Sequence, residues 1–182
     1  VQIALEAKWP AMIVYINGAF GVGKTTVAEL LVARLPNAIL FDPELVGGVL
    51  THALSDLDPK DDFQHYDSWS ELVGAFLRSF RNAYPQSTIV VPMSLLSDPI
   101  RNRTIAAMRE ADPDVRSCTL VATPAELERR IRRRDSSDRS REWCLRHMAG
   151  APVPNGDDAT VIDTTALEPK AVVDRIVDAI AG

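Results

Sequence analysis

Residues 16–31 read INGAFGVGKTTVAELL, and within them Gly18, Gly23, Lys24 and Thr25 have the spacing GxxxxGKT. No other feature constrains the fold as tightly, because a phosphate-binding loop of this kind works only between a strand and a helix. Both neighbours are legible. Residues 12–16 (MIVYI) are short, apolar and β-branched, as a buried strand requires. Residues 24–35 place Val27, Ala28, Leu31 and Leu35 on one helical face, and Pro36 ends the run. Gly18 and Gly23 allow backbone conformations that a Cβ would obstruct. Backbone N–H groups then converge on phosphate oxygens, and the helix adds its positive end. Lys24 reaches the β- and γ-phosphates as a point charge, and the Thr25 hydroxyl faces Mg²⁺. The predicted nucleotide-binding set is therefore Gly18, Ala19, Phe20, Gly21, Val22, Gly23, Lys24, Thr25 and Thr26, with ATP and Mg²⁺ implied. A dinucleotide fingerprint does not fit: Gly18, Gly21 and Gly23 are mis-spaced for G-x-G-x-x-G, which carries no fixed Lys-Thr pair.

The remaining chain alternates strands with helices. Strands are predicted at 38–41, 88–93, 115–122 and 160–163. Asp42-Pro43 and Asp98-Pro99 each read as an N-cap followed by proline at the first helical position. A polar loop covers 55–62, and helices cover 67–84 and 98–111. Thr123-Pro124-Ala125-Glu126 has capping-box spacing and opens an arginine-rich helix. An amphipathic helix over 169–181 closes the chain and docks on the sheet rather than on a membrane. Five such alternations predict an α/β fold, a parallel sheet covered on both faces.

The 182 residues suit one domain, predicted over 12–182. Residues 1–11 read as an upstream extension or a cloning remnant, since Met12 stands where a native start would fall. The net charge of −5 argues against nucleic-acid binding, which needs a basic surface. No apolar run approaches the roughly 18–20 residues that span a bilayer. Two cysteines, Cys118 and Cys144, form neither a disulfide framework nor a metal pattern, which fits a reducing, cytoplasmic compartment. A monomer or homodimer is expected.

Three features bear on the chemistry. An ATPase or GTPase places an acidic Mg²⁺ partner at a strand end, but the third strand ends in Val91-Pro92-Met93-Ser94. The carboxylate at a strand end is instead Asp42, a candidate for the metal's water or for an attacking hydroxyl, and also a plain N-cap. Eight arginines lie between 126 and 146, the composition of a lid that shields a transferring phosphoryl group; helix spacing picks Arg130, Arg133 and Arg134 to reach phosphate. The bland alternative is a solvated helix laced with Glu126, Glu128, Asp135 and Asp138. Residues 61–69 (DDFQHYDSW) pack carboxylates, an amide and aromatics together, which suits a sugar or nucleobase; Phe63 and Trp69 fit ordinary core equally well.

In order along the chain, INGAFGVGKTTVAELL, FDPELVG at 41–47, DDFQHYDSW at 61–69 and IVVPM at 89–93 resemble the bacterial tunicamycin-resistance ATP-binding proteins. The resemblance implies a P-loop NTPase fold of nucleotide/shikimate-kinase type, with strand order 2-3-1-4-5 and an Arg-rich lid. It implies ATP binding and tunicamycin, a uridine-containing nucleoside antibiotic with a fatty acyl chain, as the small-molecule partner. It marks Asp42, Asp62, Phe63, Gln64, Tyr66 and Trp69 as acceptor-side residues and Thr25 and Asp42 as metal-side residues. The function expected is phosphoryl transfer from Mg-ATP to the drug. Sequestration without chemistry, and a kinase of a sugar acid or polyol, are the alternatives.

Overall fold

The computed structural model describes residues 9–95, 97–134, 137–147 and 159–181. Residues 1–8 of the expected extension, Asp135 and the side chain of Arg139 lie outside them. Trp9 packs against the core, and the Pro10 carbonyl accepts from the Thr88 hydroxyl at 3.3 Å, so the last residues of the 1–11 stretch touch the domain.

Five parallel strands form one sheet in the order β2-β3-β1-β4-β5. They are β1 (Ile13–Gly18), β2 (Ile39–Leu40), β3 (Ile89–Pro92), β4 (Val115–Val121) and β5 (Thr160–Asp163). Every residue of β1 is buried, as befits a central strand covered on both faces. Its alternate side chains feed two cores. Val14 and Ile16 pack with α1 (Lys24–Arg34) and α7 (Pro169–Ala181), whereas Ile13 and Tyr15 pack with α2 (Pro43–Leu54), α3 (Asp67–Ala83) and α4 (Asp98–Ala111). Strand β2 is shorter than the sequence predicts. The Phe41 N–H still donates to the Val90 carbonyl at 2.9 Å, but the chain then leaves this sheet edge so that Asp42 can cap α2.

Two local readings shift. The N-cap of α4 is Ser97, and Asp98 is already helical, paired with Arg101. The arginine-rich block is two helices, α5 (Pro124–Arg133) and α6 (Asp138–His147). The first stops because Arg134 turns extended, with its N–H held by the Ile131 carbonyl. Among the described residues, no helix is long and apolar enough to cross a membrane.

The chain runs outward from β1 to β2 and β3 on one side, then to β4 and β5 on the other. The reversal places a ligand crevice at the carboxyl end of β1, where the GxxxxGKT loop lies.

Candidate active site

A cleft of about 820 Å³ opens beyond the ends of β1, β3 and β5. Its floor is the loop from Phe20 to Thr26. Gly18 has φ of +146°, and a Cβ there would lie 2.5 Å from the Leu120 carbonyl oxygen. Gly21 has φ of +84°, and its Cβ would lie 2.8 Å from Ile131 Cγ1 and 3.0 Å from the Leu127 carbonyl oxygen. Gly21, outside the four-residue motif, is thus where α5 seats directly on the phosphate loop. Gly23, also left-handed, starts α1 and aims that helix's N-terminus at the cleft.

The Lys24 ammonium donates to the carbonyls of Gly18 at 2.9 Å and Ala19 at 3.0 Å, and lies 5.6 Å from the Phe20 ring centroid. Burial pushes its pKa down to about 8; Glu44 opposes that shift and Arg134 adds to it. An ammonium has three donors. Two meet loop carbonyls, and the third remains for a phosphate oxygen. Thr25 and Thr26 are exposed on the cleft side of α1.

The predicted arginines separate. Arg130 is spoken for: its guanidinium donates to Glu126 at 2.6 Å, to the Val22 carbonyl at 3.2 Å, and to the Thr164 hydroxyl and carbonyl at 3.0 and 2.7 Å. It staples α5 to the phosphate loop and to the segment after β5. Arg134 lines the cleft near Lys24, Glu44 and Cys144. Arg133 is exposed and not part of the wall. Arg129, unpredicted, is on the wall and chelates Glu126 at 2.6 Å. Those hydrogen bonds from Arg129, with help from Arg130, hold the Glu126 carboxyl down at about 2. Glu126 is therefore diverted from the expected capping box: Thr123 accepts its N–H at 3.4 Å, but the Thr123 N–H goes to the Thr165 hydroxyl.

The acceptor side also sorts itself. Asp42 is absent from the wall, because its carboxylate accepts the Glu44 N–H at 2.9 Å as the cap of α2. Capping turns Glu44 into the cleft instead. The Glu44 carboxylate is open to cleft water yet crowded by protein. Its pKa is raised by desolvation first, then by Asp42, while Lys24 and Arg134 pull it down. Asp62 caps a 3-10 turn over Phe63–His65 by accepting the Gln64 N–H at 2.8 Å. Phe63 and Gln64 reach the wall beside Met93. Tyr66 and Trp69 do not. Tyr66 is core, and Trp69 is 0 % exposed, its ring tilted against Phe63 with centroids 5.6 Å apart and its indole N–H on the Pro43 carbonyl.

Sequence reasoning missed Glu44, Ser94 and Trp143, whose ring meets that of the predicted loop residue Phe20 edge to face at 5.0 Å. A carboxylate two residues past a capping aspartate was the available signal for Glu44. Among the described residues, no three His, Cys, Asp or Glu side chains converge as a metal-binding group. A divalent ion here would lean on Thr25 and on phosphate oxygens, the donor set expected for Mg²⁺ rather than for a caged metal.

Residues 13–147 match the model of the AAA domain family. No curated protein matches the sequence. Among solved structures, the tunicamycin resistance protein of Deinococcus radiodurans is 26 % identical, with a TM-score of 0.69 over 93 % of this chain and 96 % of that one. A gluconokinase from Sinorhizobium meliloti 1021 is 18 % identical, with a TM-score of 0.67 over 95 % of this chain and 93 % of that one. The APS kinase of Mycobacterium tuberculosis, in complex with AMPPNP and APS, is 16 % identical, with a TM-score of 0.67 over 96 % and 99 %. The latter two show a shared fold. That fold is the P-loop kinase fold, in the strand order the sequence predicts.

Proposed function

The chain belongs to the AAA domain family, and from that premise we propose that it is an Mg-ATP-dependent kinase that phosphorylates a hydroxyl of a small molecule, with tunicamycin or a related nucleoside as the first acceptor to try. The observation that carries this reading is the make-up of the cleft wall. One wall brings together the phosphate loop, Lys24, Arg129 and Arg134 with the Glu44 carboxylate, Phe63, Gln64 and Met93.

Phosphoryl transfer asks mainly for positioning and charge neutralisation. Lys24 and Arg134 stand where negative charge develops on the transferring group. Mg²⁺, held by Thr25 and the phosphates, supplies further neutralisation when bound. Glu44, rather than Asp42, is the carboxylate placed to accept the acceptor's hydroxyl proton, because Asp42 is committed to its cap. Its raised pKa strengthens it as a base. Asp42 and Asp62 raise that pKa while Lys24 and Arg134 lower it, so Glu44 sits between charges of both signs. The 26 % identity to a tunicamycin resistance protein supports a nucleoside acceptor, and the Phe63 face suits one.

Mass spectrometry of tunicamycin incubated with the protein, Mg²⁺ and ATP tests the proposal, with Lys24→Ala as control. A gain of one phosphoryl group, absent in the control, is expected. A drug that stays bound but unchanged points to sequestration, and a drug that does not bind removes it as the acceptor.

A further inference from the structure

Two donors converge on the Gly18 carbonyl oxygen. Lys24 Nζ approaches at 2.9 Å and Ser94 Oγ at 2.8 Å. A carbonyl has two lone pairs, and here both are used. Ser94 is 1 % exposed, so water cannot replace its hydroxyl. The serine is itself held: its backbone carbonyl accepts Gln64 Nε2 at 2.8 Å, and Gln64 is likewise 1 % exposed. The neighbouring Met93 N–H donates to the Ile16 carbonyl at 3.0 Å, which anchors the segment after β3 alongside β1. A buried relay therefore runs from the acceptor-side turn, through the end of β3, to the first glycine of the phosphate loop.

We propose that Ser94 is a positioning residue for nucleotide binding. By occupying one lone pair of the Gly18 carbonyl, it fixes the direction of that carbonyl, and through it the Lys24 ammonium, while Gln64 holds Ser94 in place. The inference rests on the reading of this cleft as an ATP site. Ser94 lies two residues past the end of β3, near where other P-loop proteins place a carboxylate, and its side chain points back to the loop.

Removing Ser94 Oγ leaves one lone pair of the buried Gly18 carbonyl unmet and frees that carbonyl, and Lys24 with it, to leave the direction that phosphate binding requires. The experiment is calorimetry of the full chain with Mg²⁺ and AMPPNP. Ser94→Ala is expected to weaken binding about tenfold, with Ser94→Thr restoring it because the hydroxyl is kept. In a Lys24→Ala background the same Ser94→Ala change is expected to do nothing, because the residue acts through Lys24. A general packing defect would persist in that background. Gln64→Met is expected to shift affinity in the same direction by less, and it serves if Ser94→Ala does not fold. Equal AMPPNP affinity in wild type, Ser94→Ala and Gln64→Met overturns the proposal, as does a Ser94→Ala effect undiminished without Lys24. Failure of the wild type itself to bind AMPPNP overturns the ATP-site reading, and this inference with it.

Discussion

Arg130 donates to both oxygens of Thr164, the carbonyl at 2.7 Å and the hydroxyl at 3.0 Å, across 34 residues of chain. The same guanidinium reaches the Val22 carbonyl at 3.2 Å. One side chain thereby joins three walls of the cleft: α5, the phosphate loop and the turn after β5. Arg130→Met is expected to lower stability by about 1–3 kcal/mol, as buried acceptors lose a charged donor. Arg130→Lys recovers little of this, since an ammonium cannot span the fork. Denaturant titration measures both. Lost turnover at unchanged stability instead returns Arg130 to the role of a phosphate ligand.

Glu44 and Asp42 separate as base and cap. Glu44→Gln is expected to lower kcat roughly 10²-fold or more while leaving AMPPNP affinity nearly unchanged. Asp42→Asn retains a good cap and keeps most of the stability and turnover. Steady-state kinetics on the pair decides it, and the reverse ranking makes Asp42 the catalytic carboxylate.

The acid and alkaline limbs of the pH profile have different owners. With its pKa depressed to about 8 by burial, ligand-free Lys24 loses its ammonium as pH rises through that value. AMPPNP affinity is therefore expected to be flat below neutrality and to fall above pH 8 by up to about tenfold per pH unit. A limb that survives Lys24→Arg belongs to another group. Turnover falls on the acid side as Glu44 protonates, at a higher pH than an ordinary carboxylate because its pKa is raised.

Phe63 packs flat against Gly47: a Cβ there would lie 2.3 Å from the ring. Gly47→Ala is expected to push Phe63 into the cleft, destabilising the fold by about 1–3 kcal/mol and raising KM for the acceptor more than for ATP. Thermal melting and a KM comparison test it.

Phe20 in the phosphate loop touches Trp143 on α6, and Trp143 stacks on His147 at 4.3 Å. Trp143 lies on the cleft wall, whereas Trp69 is fully buried. Nucleotide binding is expected to change tryptophan fluorescence, and Trp143→Phe to abolish the change. A signal that persists assigns it to another tryptophan.

The local spacing of the sequence determined what a few consecutive residues can decide. The apolar run MIVYI, the GxxxxGKT loop and the face Val27–Ala28–Leu31 specify strand, phosphate loop and helix without outside help. The repeated alternation then leaves a doubly covered parallel sheet as the fold, and α7 and β5 fall where periodicity puts them. Which polar groups remain available for chemistry was settled only by tertiary structure. The Asp42 cap is legible in Asp42-Pro43, but that it leaves Glu44 on the cleft wall is not. Arg130 and Arg134 belong to one arginine run until Thr164, distant in sequence, engages the first. Tyr66 and Trp69 carry the same aromatic signal as Phe63 but point into the α2–α3 core. Periodicity and capping are short-range and written in neighbouring residues; whether a side chain is spent on packing depends on partners from other elements, which meet only once the sheet is assembled.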